Sequence, residues 1–135
     1  MNKVVVGIIS RMKNGEPEYL LVKSKKDFGE YTGFYYPPGG HIEEDESPIQ
    51  ALVREVKEEL DLDIKPTKEL DVTPGDINDQ ETHWWLCDLV GGKLSVQKEE
   101  LADAAYFTQD AMKQLTIWPT TKQFFNKYIF KSEFL

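Results

Sequence analysis

The sequence predicts an α/β chain of the α+β kind, with a β-sheet held between α-helices, and three stretches carry that prediction. Residues 3 to 10 are a β-branched run of the sort that forms a buried strand. Residues 47 to 60 combine a helix-start signature with a helical apolar period. Residues 82 to 90 set Thr82, Trp84, Leu86 and Asp88 on one side and His83, Trp85, Cys87 and Leu89 on the other. Apolar side chains therefore face both ways, as in a sheet covered by helices on both faces.

Taken in order, the first strand is followed by a turn marked by Asn14-Gly15 and Pro17, and residues 18 to 24 read as the returning strand of a hairpin. Lys23, Lys25 and Lys26 come next, either as a solvated strand end or as a cationic rim for phosphates. Residues 27 to 32 have no period and read as a loop. Gly33-Phe34-Tyr35-Tyr36-Pro37-Pro38-Gly39-Gly40 then leads towards the helix. Pro37 lacks an N–H, so the strand around it should be an edge or an interrupted one.

The helix has Ser47 as N-cap, Pro48 at its first position and Gln50 to complete a capping box. Ile49, Leu52, Val53, Val56 and Leu60 make one expected buried stripe, while Glu55, Glu58 and Glu59 crowd on another face. Beyond it, Pro66 should break the chain, residues 68 to 73 form a short strand, and residues 75 to 81 a polar loop. Trp84 and Trp85 must point to opposite faces of the next strand, and Gly91-Gly92 should turn the chain back. Each tryptophan is expected in the core, with Trp84 also a candidate wall of a nucleotide pocket. His83 reads as a satisfied or surface histidine rather than a general base. Glu99, Glu100 and Asp103 form a second acidic cluster ahead of a strand over residues 104 to 108. Residues 109 to 115 and 120 to 130 read as helices separated by Trp118-Pro119, the second with an apolar stripe of Phe124, Phe125, Tyr128 and Ile129.

A chain of 135 residues suits one domain, 1–135, with a core of its own. The net charge of −8 argues against an electrostatic nucleic-acid binder. Residues 40 to 62 hold eight acids against two bases, so most of the acidity is local, as a cation site would require. Like charges three and four apart on a helix cost roughly 0.2–0.5 kcal/mol per pair. A hard divalent cation bound by carboxylate oxygens would offset that cost. Cys87 is the only cysteine, which removes internal disulfides and cysteine zinc sites and leaves it as a small buried hydrophobe. There is neither a signal pattern nor an 18-residue apolar run, so the expectation is a cytoplasmic protein with no membrane partner.

Residues 40 to 62 resemble the Nudix box, Gly-x5-Glu-x7-Arg-Glu-U-x-Glu-Glu-x-Gly-U with U a bulky apolar residue. Gly40, Glu46, Arg54, Glu55, Val56, Glu58, Glu59 and Leu62 all match, and Asp61 stands where the family has Gly. That Gly serves a left-handed helix C-cap, which Asp tolerates better than most residues, so the departure should touch stability more than chemistry. The lead-in resembles the family's Gly-x-Trp-x-U-Pro-Gly-Gly, with Tyr35 at the aromatic position and Pro37 at an apolar one.

The resemblance implies a Nudix fold, with a mixed β-sheet sandwiched between α-helices, and Mg²⁺-dependent hydrolysis, or Mn²⁺-dependent hydrolysis, of a nucleoside diphosphate linked to another group. It implies Glu55 and Glu59 as metal ligands, Glu58 as a third ligand or the base, and the Gly40 carbonyl as part of the metal shell. Arg54 would hold the cluster's geometry and Glu46 brace the loop. Glu100, six residues before Tyr106, matches an extra catalytic or metal-binding Glu that family members often place in this loop and is favoured over Glu99, with a solvated loop as the other reading. Lys23, Tyr35, Gly39 and Trp84 are the candidate substrate contacts. The expected partner is a small nucleotide, first a nucleoside triphosphate, oxidised ones included, then ADP-ribose or a dinucleoside polyphosphate. The expected assembly is a monomer or homodimer. A rival reading is a Nudix-fold module that binds a nucleotide without hydrolysing it.

Overall fold

The computed structural model describes residues 2–77 and 79–135. Met1, the first residue of the expected domain, and Asn78, inside the expected 75-to-81 loop, lie outside the described residues. The elements are β1 Asn2–Lys13, β2 Glu16–Ser24, β3 Tyr35–Tyr36, β4 Gly39–His41, α1 Pro48–Leu60, β5 Leu62–Pro74, β6 Gln80–Gly92, β7 Leu101–Thr108, α2 Gln109–Met112 and α3 Pro119–Phe124. A π-helical turn, Phe125–Ile129, extends α3.

The long strand β1 organises the sheet. It runs parallel to β6 from Asn2 to Ile9, antiparallel to β4 over Val4–Val6, and antiparallel to β2 from Ser10 onward. The strand order is β3-β2-β1-β6-β5, with β4 also on β1 and β7 on β2. The sheet is therefore mixed, as expected. The β1–β2 hairpin closes through Asn14 and Gly15, both at positive φ (52° and 78°), the requirement of a turn that follows the strand twist.

Alternation along the strands fills two cores. Val5, Ile9, Leu20 and Val22 face α1 and meet Leu52, Val56 and Leu60. Val6, Ile8, Leu21 and Trp84 face the other way and meet Met112, Ile117, Phe124 and Phe125. Trp84 and Trp85 do point to opposite faces, Trp84 into the second core and Trp85 against the first. Helices thus cover both faces of the sheet.

The start of α1 matches its sequence signals in detail. Ser47 accepts from the Gln50 N–H, the Gln50 side chain accepts from the Ser47 N–H, and Pro48 sits in the first turn. The chain is interrupted at Pro37-Pro38, so β3 and β4 pair with different neighbours, β2 and β1 respectively.

Four expectations need correction. The buried side of α1 is Ala51, Leu52, Val56 and Leu60, whereas Ile49 and Val53 are 40% and 37% exposed. The helix is rotated so that Glu55 and Glu59 flank the packed stripe, because α1 also lies over β4 at Gly40, not only over the broad sheet. Pro66 does not break the chain: it lies within β5, an edge strand, beside a shift in register that removes the need for its missing N–H. Gly91 and Gly92 remain in β6, paired with Asp63 and Leu62, so the turn follows them. The two C-terminal helices are shorter than their periodicity suggests: α2 stops at Met112, and α3 widens into the π-turn after Phe124.

Asp61 ends α1 at φ 56°, ψ 34°, the left-handed cap conformation, with its carboxylate 3.2 Å from Lys57 Nζ. That ion pair is exposed and contributes little, while a β-carbon in this conformation costs up to about 1–2 kcal/mol, less for Asp than for most residues. The expected stability order is therefore Gly above Asp above Ala. Urea denaturation should show Asp61→Gly stabilised by about 0.5 kcal/mol and Asp61→Ala destabilised by about 1 kcal/mol.

Candidate active site

Arg54 is the hub of the acidic stretch. Its Nε and Nη2 donate to the two carboxylate oxygens of Glu46 at 2.7 and 2.8 Å, a two-pronged pair that suits the planar guanidinium. Nη1 donates to Glu55 Oε1 at 3.0 Å and to Glu58 Oε2 at 3.4 Å, and Nη2 also donates to the His41 carbonyl at 3.2 Å. One side chain thus ties the 41-to-46 loop to α1 and orients Glu55. The hydrogen bond from Arg54, helped by the Glu43 backbone, holds the Glu46 carboxyl down at about 2.

Glu55 is pressed against the double-glycine turn. A β-carbon added to Gly40 would lie 2.5 Å from the Glu55 carboxyl carbon, and one added to Gly39 would lie 1.9 Å from the Val5 carbonyl oxygen. Only glycine lets β4 pass between β1 and α1 at these distances.

Glu59 lies one turn further along, half-buried, within hydrogen-bonding reach of Glu55 on one side and Glu100 on the other. Burial first, then the charge of Glu55 and the nearness of Glu100, pushes its carboxyl up to about 8. Glu100 reaches this position because its loop closes the end of α1. The Ser95 and Gln97 N–H groups donate to the Leu60 and Glu59 carbonyls (2.9 and 2.8 Å), which satisfies two of the free carbonyls at the helix C-terminus. The Lys25 N–H then donates to the Glu100 carbonyl at 3.0 Å.

Of the sequence-predicted residues, Glu55, Glu59, Glu100, Gly40 and Arg54 therefore come together. Glu58 does not join the carboxylate group: its side chain is 60% exposed and reaches only Arg54. Glu99 is exposed on the same loop as Glu100.

The donor set suits a hard divalent cation, since it is built of carboxylate oxygens and carries unbalanced negative charge. Among the described residues no three His, Cys, Asp or Glu side chains already enclose a common point. Glu55, Glu59 and Glu100 stand as adjacent pairs on backbones fixed by α1 and its capping loop. Glu55 and Glu59, with Gly40 alongside, could hold such an ion after side-chain adjustment.

Beyond the glycines lies a cavity of about 100 Å³, bounded by Val4, Val6, Thr82 and Trp84 of the sheet and by Trp118 and Thr121 at the start of α3. Tyr36, Gly39 and Gly40 also line it, so it shares with Glu55 the glycine turn, although no side chain of the carboxylate group lines it. Trp84 is present only as a wall. It is 2% exposed, stacked on Phe124 at 4.3 Å, and its Nε1 donates to Thr73 Oγ1.

Lys23 and Tyr35 are not brought to this cavity. Tyr35 turns to the other face of β3, where its hydroxyl donates to Asp103, and Lys23 Nζ lies 5.2 Å from the Tyr35 ring. Strand alternation gives the site to Tyr36 instead. Tyr36 is packed by the first core, and burial, then Glu59, raises its hydroxyl pKa well above the usual tyrosine range.

Sequence reasoning missed Tyr36 and Trp118 as site residues. The parity of the Tyr-Tyr pair, counted back from Gly40, was the available signal for Tyr36. Trp118 has no local signal, because the chain brings it in from the far end.

A NUDIX domain family model matches residues 1–128. The chain is 30% identical over 103 residues to the NAD-capped RNA hydrolase NudC of Haemophilus influenzae, covering 76% of this chain and 39% of that protein. It is 34% identical over 90 residues to the 8-oxo-dGDP phosphatase NUDT18 of Danio rerio, covering 64% of this chain and 26% of that protein. The match thus spans about two-fifths of the length of the NudC relatives, and less of NUDT18. The fold is shared with a NUDIX hydrolase from Nitrosomonas europaea, with a TM-score of 0.78 and 21% identity over 97% of this chain and 90% of that one. With its box assembled on α1 and the family model covering nearly its whole length, the chain belongs to the Nudix hydrolase family.

Proposed function

We propose that this protein hydrolyses a phosphoanhydride bond of a nucleoside diphosphate derivative, first a nucleoside triphosphate, normal or oxidised, to nucleoside monophosphate and pyrophosphate. The observation that supports this reading is the grouping of Glu59 with Glu55 and Glu100, with Glu55 against a double-glycine turn that itself lines a cavity with aromatic walls. Phosphates at the glycine turn and a base in the cavity would be contiguous.

Glu55 and Glu59, with the Gly40 carbonyl, would hold Mg²⁺ or Mn²⁺. When bound, such an ion polarises phosphoryl oxygens and lowers the pKa of water. Glu100 takes the proton of the attacking water in this reading, since it lies beside Glu59 while Glu58 points outward. The water oxygen bonds to phosphorus, the bridging P–O bond breaks, and pyrophosphate leaves with the bond's electron pair. Arg54 does not touch the substrate; it keeps Glu55 facing the turn.

The names of the relatives, one acting on NAD-capped RNA and one on 8-oxo-dGDP, are consistent with a nucleotide pyrophosphate as the common element. A panel of nucleoside triphosphates, ADP-ribose and dinucleoside polyphosphates, assayed with Mg²⁺ or Mn²⁺ and analysed for products, tests the reaction. Saturable binding without turnover of any member would instead identify a nucleotide-binding module.

Three outcomes are expected. Glu59→Gln should lower turnover by at least about 100-fold, and the thermal stabilisation that Mg²⁺ gives the parent should be lost; unchanged metal dependence would refute the ligand assignment. Gly40→Ala places its methyl against the movable end of Glu55 and not against backbone. It should keep the fold by circular dichroism yet cut turnover by about tenfold or more, whereas Gly91→Ala, whose nearest neighbour is 3.8 Å away, should be silent.

The third outcome concerns pH. Glu46 is depressed in the folded protein, so its ionised form favours folding above its unfolded pKa, and that contribution fades as pH falls from about 4.5 towards about 2. The melting temperature of Glu46→Gln should thus lie below the parent's at pH 7 and converge with it across that acidic window.

A further inference from the structure

We propose that Tyr35 and Asp103 are a positioning pair: the hydrogen bond between them pins the start of β7 and thereby keeps Glu100 beside Glu59. The proposal rests on the reading of Glu100 as the group that takes the water's proton, and it deepens that reading.

Strand β7 does not enter the sheet regularly. Lys23 of β2 pairs with Asp103, yet Ser24 pairs with Leu101, so Ala102 is an extra residue in the ladder. That insertion changes which way the chain faces. Leu101 and Ala104 both face the first core, which unbroken alternation along a strand forbids. Glu100 stands immediately before this bulge.

Upstream, Glu100 is held by backbone. The Glu100 and Leu101 N–H groups both donate to the Gln97 carbonyl, at 3.2 and 3.0 Å, and Gln97 is itself tied to the end of α1. Downstream, the ladder is interrupted. A shift of the bulge by one residue would turn the side chains beside it to the opposite face. Asp103 is the first paired residue past the interruption, and its carboxylate accepts from the Tyr35 hydroxyl at 2.5 Å.

Tyr35 is a firm post for that bond. Its partner in β2 is Lys23, the residue that also pairs with Asp103, so the three lie in one row across β3, β2 and β7. The Tyr35 N–H donates to the Thr116 carbonyl at 2.8 Å, and its carbonyl accepts from the Trp118 N–H at 3.1 Å. Its ring meets Phe107 edge-on at 5.3 Å. Burial, then the bond to Asp103, pushes the hydroxyl up to about 12, so it stays a donor at neutral pH. The bond reaches over Lys23 and joins two strands that each pair with β2 and not with each other.

The test is a double-mutant cycle on Tyr35→Phe and Glu100→Gln. It is read as kcat and KM for GTP, or for the panel member turned over fastest, with Mg²⁺. Tyr35→Phe should lower kcat about three- to tenfold and leave KM within about twofold. In the Glu100→Gln background it should cost nothing further. Asp103→Asn keeps an acceptor oxygen and should retain most of the parent's kcat, whereas Asp103→Ala should match Tyr35→Phe. Amide hydrogen exchange gives a readout apart from turnover. In Tyr35→Phe it should quicken about threefold or more at Lys25 and Leu101, and not within α1.

An unchanged kcat in Tyr35→Phe, the same loss with and without Glu100, or exchange that quickens no more at Lys25 and Leu101 than in α1 would each overturn the proposal. Should Tyr35→Phe fold poorly, equal loss in Asp103→Asn and Asp103→Ala would overturn it instead. Failure of the hydrolase reading would appear separately, as no turnover by the parent with Mg²⁺ or Mn²⁺; the exchange comparison then decides alone whether the pair holds the loop.

Discussion

The contact on which the site depends is that between helix α1 and the backbone of the double-glycine turn. Gly40 lies so near the Glu55 carboxyl that any side chain would occupy the same space. Gly39 passes the Val5 carbonyl at a distance that excludes a β-carbon altogether. Because β4 can lie that flat against β1, α1 can approach it, and Glu55 on the flank of the helix packs against the turn with the half-buried Glu59 one turn further along. Packing of Leu52, Val56 and Leu60 on the sheet supplies the adhesion, and truncating one such buried residue typically costs about 2–5 kcal/mol. The glycines decide where the carboxylates end up.

Arg54 makes this close approach electrostatically tolerable. It engages Glu46 with two hydrogen bonds and Glu55 with one, and it borders the exposed Glu58. The guanidinium thereby balances the outer part of the acidic stretch. The inner part, Glu59 between Glu55 and Glu100, remains unbalanced, and burial raises the cost of its charge. The chain concentrates uncompensated negative charge at one place, behind the turn whose glycines line the cavity. A divalent cation is the species that such a place would attract most strongly.

Distant segments complete the arrangement through ordinary structural duties. The loop that carries Glu100 is held by free carbonyls at the end of α1. The segment before α3, which carries Trp118, is held by a backbone bond to Tyr35, and Asp76 accepts from the Thr120 N–H and hydroxyl at the start of that helix. The same contacts that finish each helix end also fix what faces the cavity.

The sequence by itself determined the elements whose signals are local. The capping box at Ser47, the hairpin at Asn14-Gly15, the interruption at Pro37 and a sheet covered on both faces were all legible, because caps, turns and alternation depend on neighbours within a few residues. So was the acidic constellation on α1, where helical spacing alone places Glu55 and Glu59 one turn apart. Tertiary structure decided what spacing leaves open. It set the rotation of α1 that buries Ala51 and exposes Ile49 and Val53, and it let an edge strand absorb Pro66. It chose Tyr36 over Tyr35 for the cavity, left Glu58 outside the carboxylate group, and brought Glu100 and Trp118 from remote segments. Period specifies which residues share a face, but which face meets which neighbour follows from packing between segments far apart in the chain, and no local pattern encodes that.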